Sequence, residues 1–133
     1  MTQIKESPTE LKNLRTAIHD NAKDKGFWDE GVGEIHRPLL LIVSEIGEAV
    51  EAHRKGNVCA LGNDQLRDLF KLKGEEFEKK FKQDVKDTFE DELADTFIRL
   101  LDFMTANNIN VEAHVLLKMK YNSTRERLHG KNY

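Results

Sequence analysis

The chain is 133 residues long, enough for one domain with a real core and too short for two ordinary ones. Its formal net charge of −3, from 24 acidic residues against 21 Lys and Arg, supplies no overall attraction to DNA, RNA or an anionic membrane. A single cysteine, Cys59, excludes an internal disulfide, and 34% charged residues with a mean hydropathy of −0.64 point to helices with solvated outer faces whose core a partner subunit helps to complete.

The opening stretch "MTQIKESPTELKNL" has no apolar signal core, and no apolar run approaches the roughly 20 residues a bilayer span needs, so a cytoplasmic protein is expected. From Thr9, placed to cap a helix after Pro8, the residues Leu11, Leu14, Ala17 and Ile18 recur at helical spacing to about Lys25. Gly26, Gly31 and Gly33 break that pattern. A second helix is predicted from Glu34 or His36 to Lys55, with Pro38 suited to its first turn and Gly56 ending it. Residues 57–86 are less regular, with amphipathic pieces around 65–71 and 75–81, and read as a partly helical insertion or lid. The charged stretch "KGEEFEKKFKQDVKD" within it reads as a solvated face, and Cys59 as an incidental thiol. Val85, Phe89, Leu93, Phe97, Leu100, Leu101 and Met104 then trace a strong stripe over 85–107, and a last helix is predicted from Val111 to Leu128. The fold class is therefore all-α: a bundle of four main helices in one domain, 1–133, with the insertion between the second and third.

Carboxylates mark both central helices. In "SEIGEAVEAHR" Glu45 and Glu48 stand three residues apart beside Leu41, Ala49 and Ala52; in "EDELADTFIRLLD" Glu92 and Asp95 repeat that spacing beside Phe89, Leu93 and Leu100. A single E-x-x-E is often a solvated face paired with neighbours such as Arg54, Lys55 or Arg99. Two pairs on two apolar helices packed antiparallel instead converge four acids, and charge bordering a core needs a cation or basic partners. Oxygen donors without cysteine or histidine at ligand spacing suit Mg²⁺, with Mn²⁺ as a substitute. His36, His53 and His114 complete no E-x-x-H pair, which disfavours a di-iron bundle.

Those two blocks, followed by "KMKYNSTRERLHGKNY", resemble the MazG-like group of all-α nucleoside triphosphate pyrophosphohydrolases, related to dimeric dUTPases and dCTP pyrophosphatases. The likeness covers most of the chain outside the insertion. It implies magnesium binding by Glu45, Glu48, Glu92 and Asp95, and cleavage of a nucleoside triphosphate between the α and β phosphates to monophosphate and pyrophosphate. It also implies assembly as a homodimer or homotetramer. Many relatives open the first motif with two consecutive glutamates, where this chain has Ser44 before Glu45, so the catalytic assignment rests on Glu48 together with Glu45.

Lys118, Asn122 and Arg125 share a helical face by three- and four-residue spacing and in the similar family this segment contacts the triphosphate; otherwise they are basic residues complementing a helix C-terminus. His19 and Trp28 resemble the pair that surrounds the base in dCTP pyrophosphatases, which favours a pyrimidine; the alternative for Trp28 is core packing with Phe27. The expected role is nucleotide-pool cleaning, and the competing role is a helical nucleotide-binding or regulatory module without turnover.

Overall fold

The computed structural model describes residues 9–132, leaving aside the side chains of Thr9 and His129, so the capping role expected of Thr9 after Pro8 lies outside the described residues. Among these residues the chain is all-helical, as the periodicity predicts: α1 (Thr9–Asp24), α2 (His36–Arg54), α3 (Asn63–Lys71), α4 (Gly74–Asp84), α5 (Phe89–Ala106) and α6 (Val111–Ser123), with a final 3₁₀ turn, Arg127–Gly130. None of these helices is long and apolar enough to cross a membrane.

The predicted stops at Gly26 and Gly56 have a common backbone cause. Both glycines adopt positive φ, +83° and +72°, which turns the chain back over the helix end. The following residue then donates to a carbonyl five positions earlier, Phe27 to Ala22 at 3.1 Å and Asn57 to Ala52 at 2.8 Å. The insertion is partly helical as expected, with α3 and α4 at its two amphipathic pieces and packing on each other. Gln65 reaches back to accept from the Gly62 N–H at 2.8 Å, satisfying a donor that precedes α3.

Two expected boundaries are corrected. The third long helix starts at Phe89 rather than Val85, because Asp87 takes a positive φ of 61° and Thr88 accepts the Asp91 N–H at 3.3 Å as a cap. The last helix stops at Ser123 rather than Leu128; the Thr124 and Arg125 amides turn inward onto Tyr121 and Asn122 carbonyls. Asn110 caps its start by accepting from the Ala113 N–H.

The chain comprises two compact units. One runs from Glu34 to Leu100 and holds α2, α3, α4 and the first two-thirds of α5. Within it Ile42, Ala49, Ala52, Leu69, Thr88 and Glu92 are buried. Arg99 meets Glu45 at one end of the α2–α5 pairing, and His53 meets Phe89 edge-on with ring centroids 5.1 Å apart at the other. Low numbers on α2 thus face high numbers on α5, so the helices run antiparallel. The loop after α2 is tied to the start of α5: Phe89 N–H donates to the Asn57 carbonyl, and the Asn57 amide donates to the Asp87 carbonyl.

The other unit combines the described residues up to Gly33 with Leu101 onward. Leu101, Phe103 and Val111 are buried there together with Glu112, which is 1% exposed and accepts from Arg15 Nε at 2.5 Å. A carboxylate this deep requires its positive partner, since unpaired charge in an apolar interior costs several kcal/mol, on the order of 3 to 5.

Candidate metal centre

Antiparallel packing of α2 on α5 gathers three of the four predicted acids. Glu45 and Glu48 share a face of α2, and Glu92 lies in the first turn of α5; one carboxylate oxygen from each lies within 4.8 Å of those of the other two. Glu48 is exposed, Glu45 half-buried and Glu92 only 8% exposed, so the cluster is open on one side and rooted in the interior on the other.

Crowding leaves an electrostatic signature. The Glu92 carboxyl is pushed up to about 7, chiefly by loss of hydration and then by the charges of Glu48 and Glu45, to which its protonated form also hydrogen-bonds. Arg99 supplies a positive charge at one edge, Nε donating to Glu45 Oε1 at 2.7 Å. Arg54 and Lys55 instead contact Glu51, each at 3.6 Å, so only Arg99 of the three basic neighbours considered from sequence reaches the site acids.

The fourth predicted ligand, Asp95, is not drawn into the three-acid cluster. It stands exposed one turn along α5, its carboxyl raised by lost hydration, Asp91, Glu45 and Glu48, and lowered by Arg99. Asp95 therefore feels the site without closing on it. Three convergent carboxylates with no nitrogen or sulfur donor fit a hard divalent cation such as Mg²⁺ or Mn²⁺.

Within the other unit, His19 and Trp28 do come together, through a residue the sequence reading passed over. His19 Nδ1 lies 2.7 Å from Asp102 Oδ1, and the Trp28 indole N–H is 3.0 Å from both Asp102 oxygens. The two rings are 6.0 Å apart, tilted by 57°. Phe27 is 70% exposed, so Trp28 turns to Asp102 and His19 rather than into a core with its neighbour. An acid inside the apolar run "RLLDFM" was the available signal, since such an acid needs donors. Glu112 with Arg15 was missed too, and its place in the first turn of a helix is ordinary enough to raise no flag.

Arg125 does not continue the helical face of Lys118 and Asn122, because α6 has ended before it. The aromatic ring of Tyr121 gathers the cations instead: Lys118 Nζ lies 5.1 Å and Arg125 Cζ 5.8 Å from its centre. Asn122 is half-buried beside them in sequence. Cys59 is half-buried, and its backbone N–H donates to Glu90 at 2.7 Å.

Set against known proteins, the chain matches no family model, no curated protein and no solved structure.

Proposed function

We propose that the protein is a MazG-like pyrophosphohydrolase, hydrolysing nucleoside triphosphates with Mg²⁺ to monophosphate and pyrophosphate. The observation that carries this reading is the convergence of Glu45, Glu48 and Glu92 from two antiparallel helices. Bound divalent metal would supply charge neutralisation for the phosphate oxygens and for the water that attacks them. Glu45, Glu48 and Glu92 are the residues to hold it, with Asp95, one turn along α5, as a further oxygen donor at its edge. Glu48, the most exposed of the three, is assigned to accept a proton from the attacking water.

Lys118, Asn122 and Arg125 are assigned the phosphate chain, and His19 with Trp28 the base, a pyrimidine. A homodimer or homotetramer is part of the proposal: Leu40, Val43 and Val50 of α2 recur at helical spacing and remain 67%, 62% and 54% exposed. Cytoplasmic nucleotide-pool cleaning is the role that suits such an activity.

The test is incubation with a panel of ribo- and deoxynucleoside triphosphates, with and without Mg²⁺, and ion-exchange separation of products beside a Glu48→Ala control. Monophosphate plus pyrophosphate, dependent on metal and Glu48, is expected. Diphosphate plus orthophosphate would sink α,β cleavage. The Arg99–Glu45 ion pair supports a second reading, a nucleotide-binding module without turnover whose acids form a structural network. That reading requires nucleotide binding with no product from any triphosphate.

A further inference from the structure

Arg99 follows Asp95 by four residues and Glu92 by seven, so the three side chains lie along one stripe of α5. Across the helix pair it donates its Nε–H to Glu45 Oε1 at 2.7 Å, and among the described residues it is the only base paired with an acid of the cluster. A guanidinium has five N–H donors in a planar fork, and Glu45 receives one of them. The Arg99 side chain is 40% exposed and that of Glu45 13%, so the base keeps contact with solvent while the acid is sheltered. Glu45 thus has two claimants. A divalent ion on its carboxylate would cancel the charge that attracts Arg99 and would itself repel a guanidinium only a few ångströms off. Phosphate oxygens offer that guanidinium a better partner, because they match its fork with two parallel hydrogen bonds.

We propose that Arg99 is a further phosphate-binding residue held in reserve: it rests on Glu45 until a divalent ion takes that acid's charge, and is then released to a phosphate oxygen of the bound nucleotide. The inference rests on the nucleotide reading above and adds to it a coupling between ion and phosphate chain. Each strengthens the other's binding, since the ion frees the guanidinium and the phosphate draws it away from Glu45. Such coupling is reciprocal and typically amounts to about 5- to 150-fold. Arg99 also keeps Glu45 aimed at the α2–α5 face before any ion binds, and an ion must displace it. Its removal therefore tightens the ion alone and weakens the phosphate chain, a pair of opposite effects that a merely structural ion pair does not produce.

The test is titration calorimetry on the full chain with Mg²⁺ alone, and with inorganic pyrophosphate in metal-free buffer and at one fixed Mg²⁺ concentration. Comparing parent and variant in the same buffer cancels the association of magnesium with free pyrophosphate. Arg99→Gln should bind Mg²⁺ alone about threefold more tightly and, with Mg²⁺ present, pyrophosphate about tenfold more weakly, while metal-free pyrophosphate binding stays within about twofold. Arg99→Lys, which keeps the charge without the fork, should recover part of the loss. Glu45→Gln provides an independent reading that leaves Arg99 in place: it frees the guanidinium without an ion and should tighten metal-free pyrophosphate binding about fivefold. Glu48→Gln removes the same charge from the cluster without touching that pair and should change it by no more than about twofold. A parent protein that binds pyrophosphate no better with Mg²⁺ than without it overturns the inference. So does an Arg99→Gln loss that is equal in both buffers or absent from both. If triphosphates are hydrolysed with Mg²⁺ but the coupling survives in Arg99→Gln, the inference fails and the hydrolase reading stands. Coupling that vanishes with Arg99 in a protein that turns over no triphosphate keeps the inference and removes the hydrolase.

Discussion

Arg99 donates its Nε–H to Glu45 Oε1 at 2.7 Å, joining α5 to α2 at the edge of the acidic cluster. It is a half-exposed guanidinium on a better-buried acid, the side chains being 40% and 13% accessible. Removing it takes away the nearest positive charge from three crowded carboxylates. Arg99→Gln should lower the metal-free protein's stability by about 1 kcal/mol, a charge-assisted bond discounted for solvent screening. Thermal melts should show that loss shrinking once Mg²⁺ is added, because a cation replaces the missing charge. A deficit that persists unchanged in saturating Mg²⁺ would argue that Arg99 serves packing alone.

Glu92 sets the pH response. Its folded-state carboxyl titrates near 7 against 4.5 ordinarily, so as pH rises between these values the unfolded chain releases its proton while the folded chain retains it. Stability is therefore full below about pH 4.5 with respect to this group and is lost as pH climbs through about 7. Melting temperatures of the metal-free protein should fall over that interval, and Glu92→Gln should flatten the fall. Magnesium should oppose it, and its binding should release protons below neutrality, measurable as a buffer-dependent heat in titration calorimetry.

Glu48→Gln keeps shape and hydrogen-bonding capacity but cannot take up a proton. Turnover should drop by roughly 10²- to 10⁴-fold, the usual span for a lost general base. Circular dichroism should be unchanged, since Glu48 is exposed and bears no part of the core. Full turnover in this variant would remove Glu48 from the proton-accepting role.

Arg15 and Glu112 provide a stability test away from the acids. Arg15→Ala takes a charge-assisted hydrogen bond from a carboxylate that is 1% exposed, and a loss of about 2 kcal/mol in denaturant unfolding is expected. Combining Arg15→Met with Glu112→Met should restore much of it, because the buried charge goes along with its partner. If the double variant is no more stable than Arg15→Ala, the ion pair is not the source of the loss.

What was legible in the chain was whatever depends on local spacing. Helix ends at Gly26 and Gly56 follow from glycine's access to positive φ, and Glu45 beside Glu48 follows from i,i+3 geometry next to an apolar stripe, whereas Glu92 joins them through the packing of α5 on α2. The start of α5 was misplaced because Val85 extends the apolar periodicity, although Thr88 ahead of Glu90, Asp91 and Glu92 is a capping signal that outweighs one valine. Arg125 was placed on α6 for a similar reason: nothing in the period shows where backbone amides stop following the helix. Asp102 and Glu112 find partners 83 and 97 positions away, and such pairings belong to tertiary packing rather than to any pattern within a helix.

The α2–α5 pairing is fastened on both sides of its acids, by Arg99–Glu45 toward one end and by His53–Phe89 toward the other. Helices held at two points do not readily spread, so the gap between Glu45, Glu48 and Glu92 has a span set before any ion arrives. A preset span discriminates by ionic radius: it suits an ion that demands close, near-octahedral oxygens, and it penalises a larger one that needs six to eight ligands at longer reach. If the cluster holds a divalent cation as proposed, Mg²⁺ should therefore bind it more tightly than Ca²⁺, which calls for more ligands than these three acids offer.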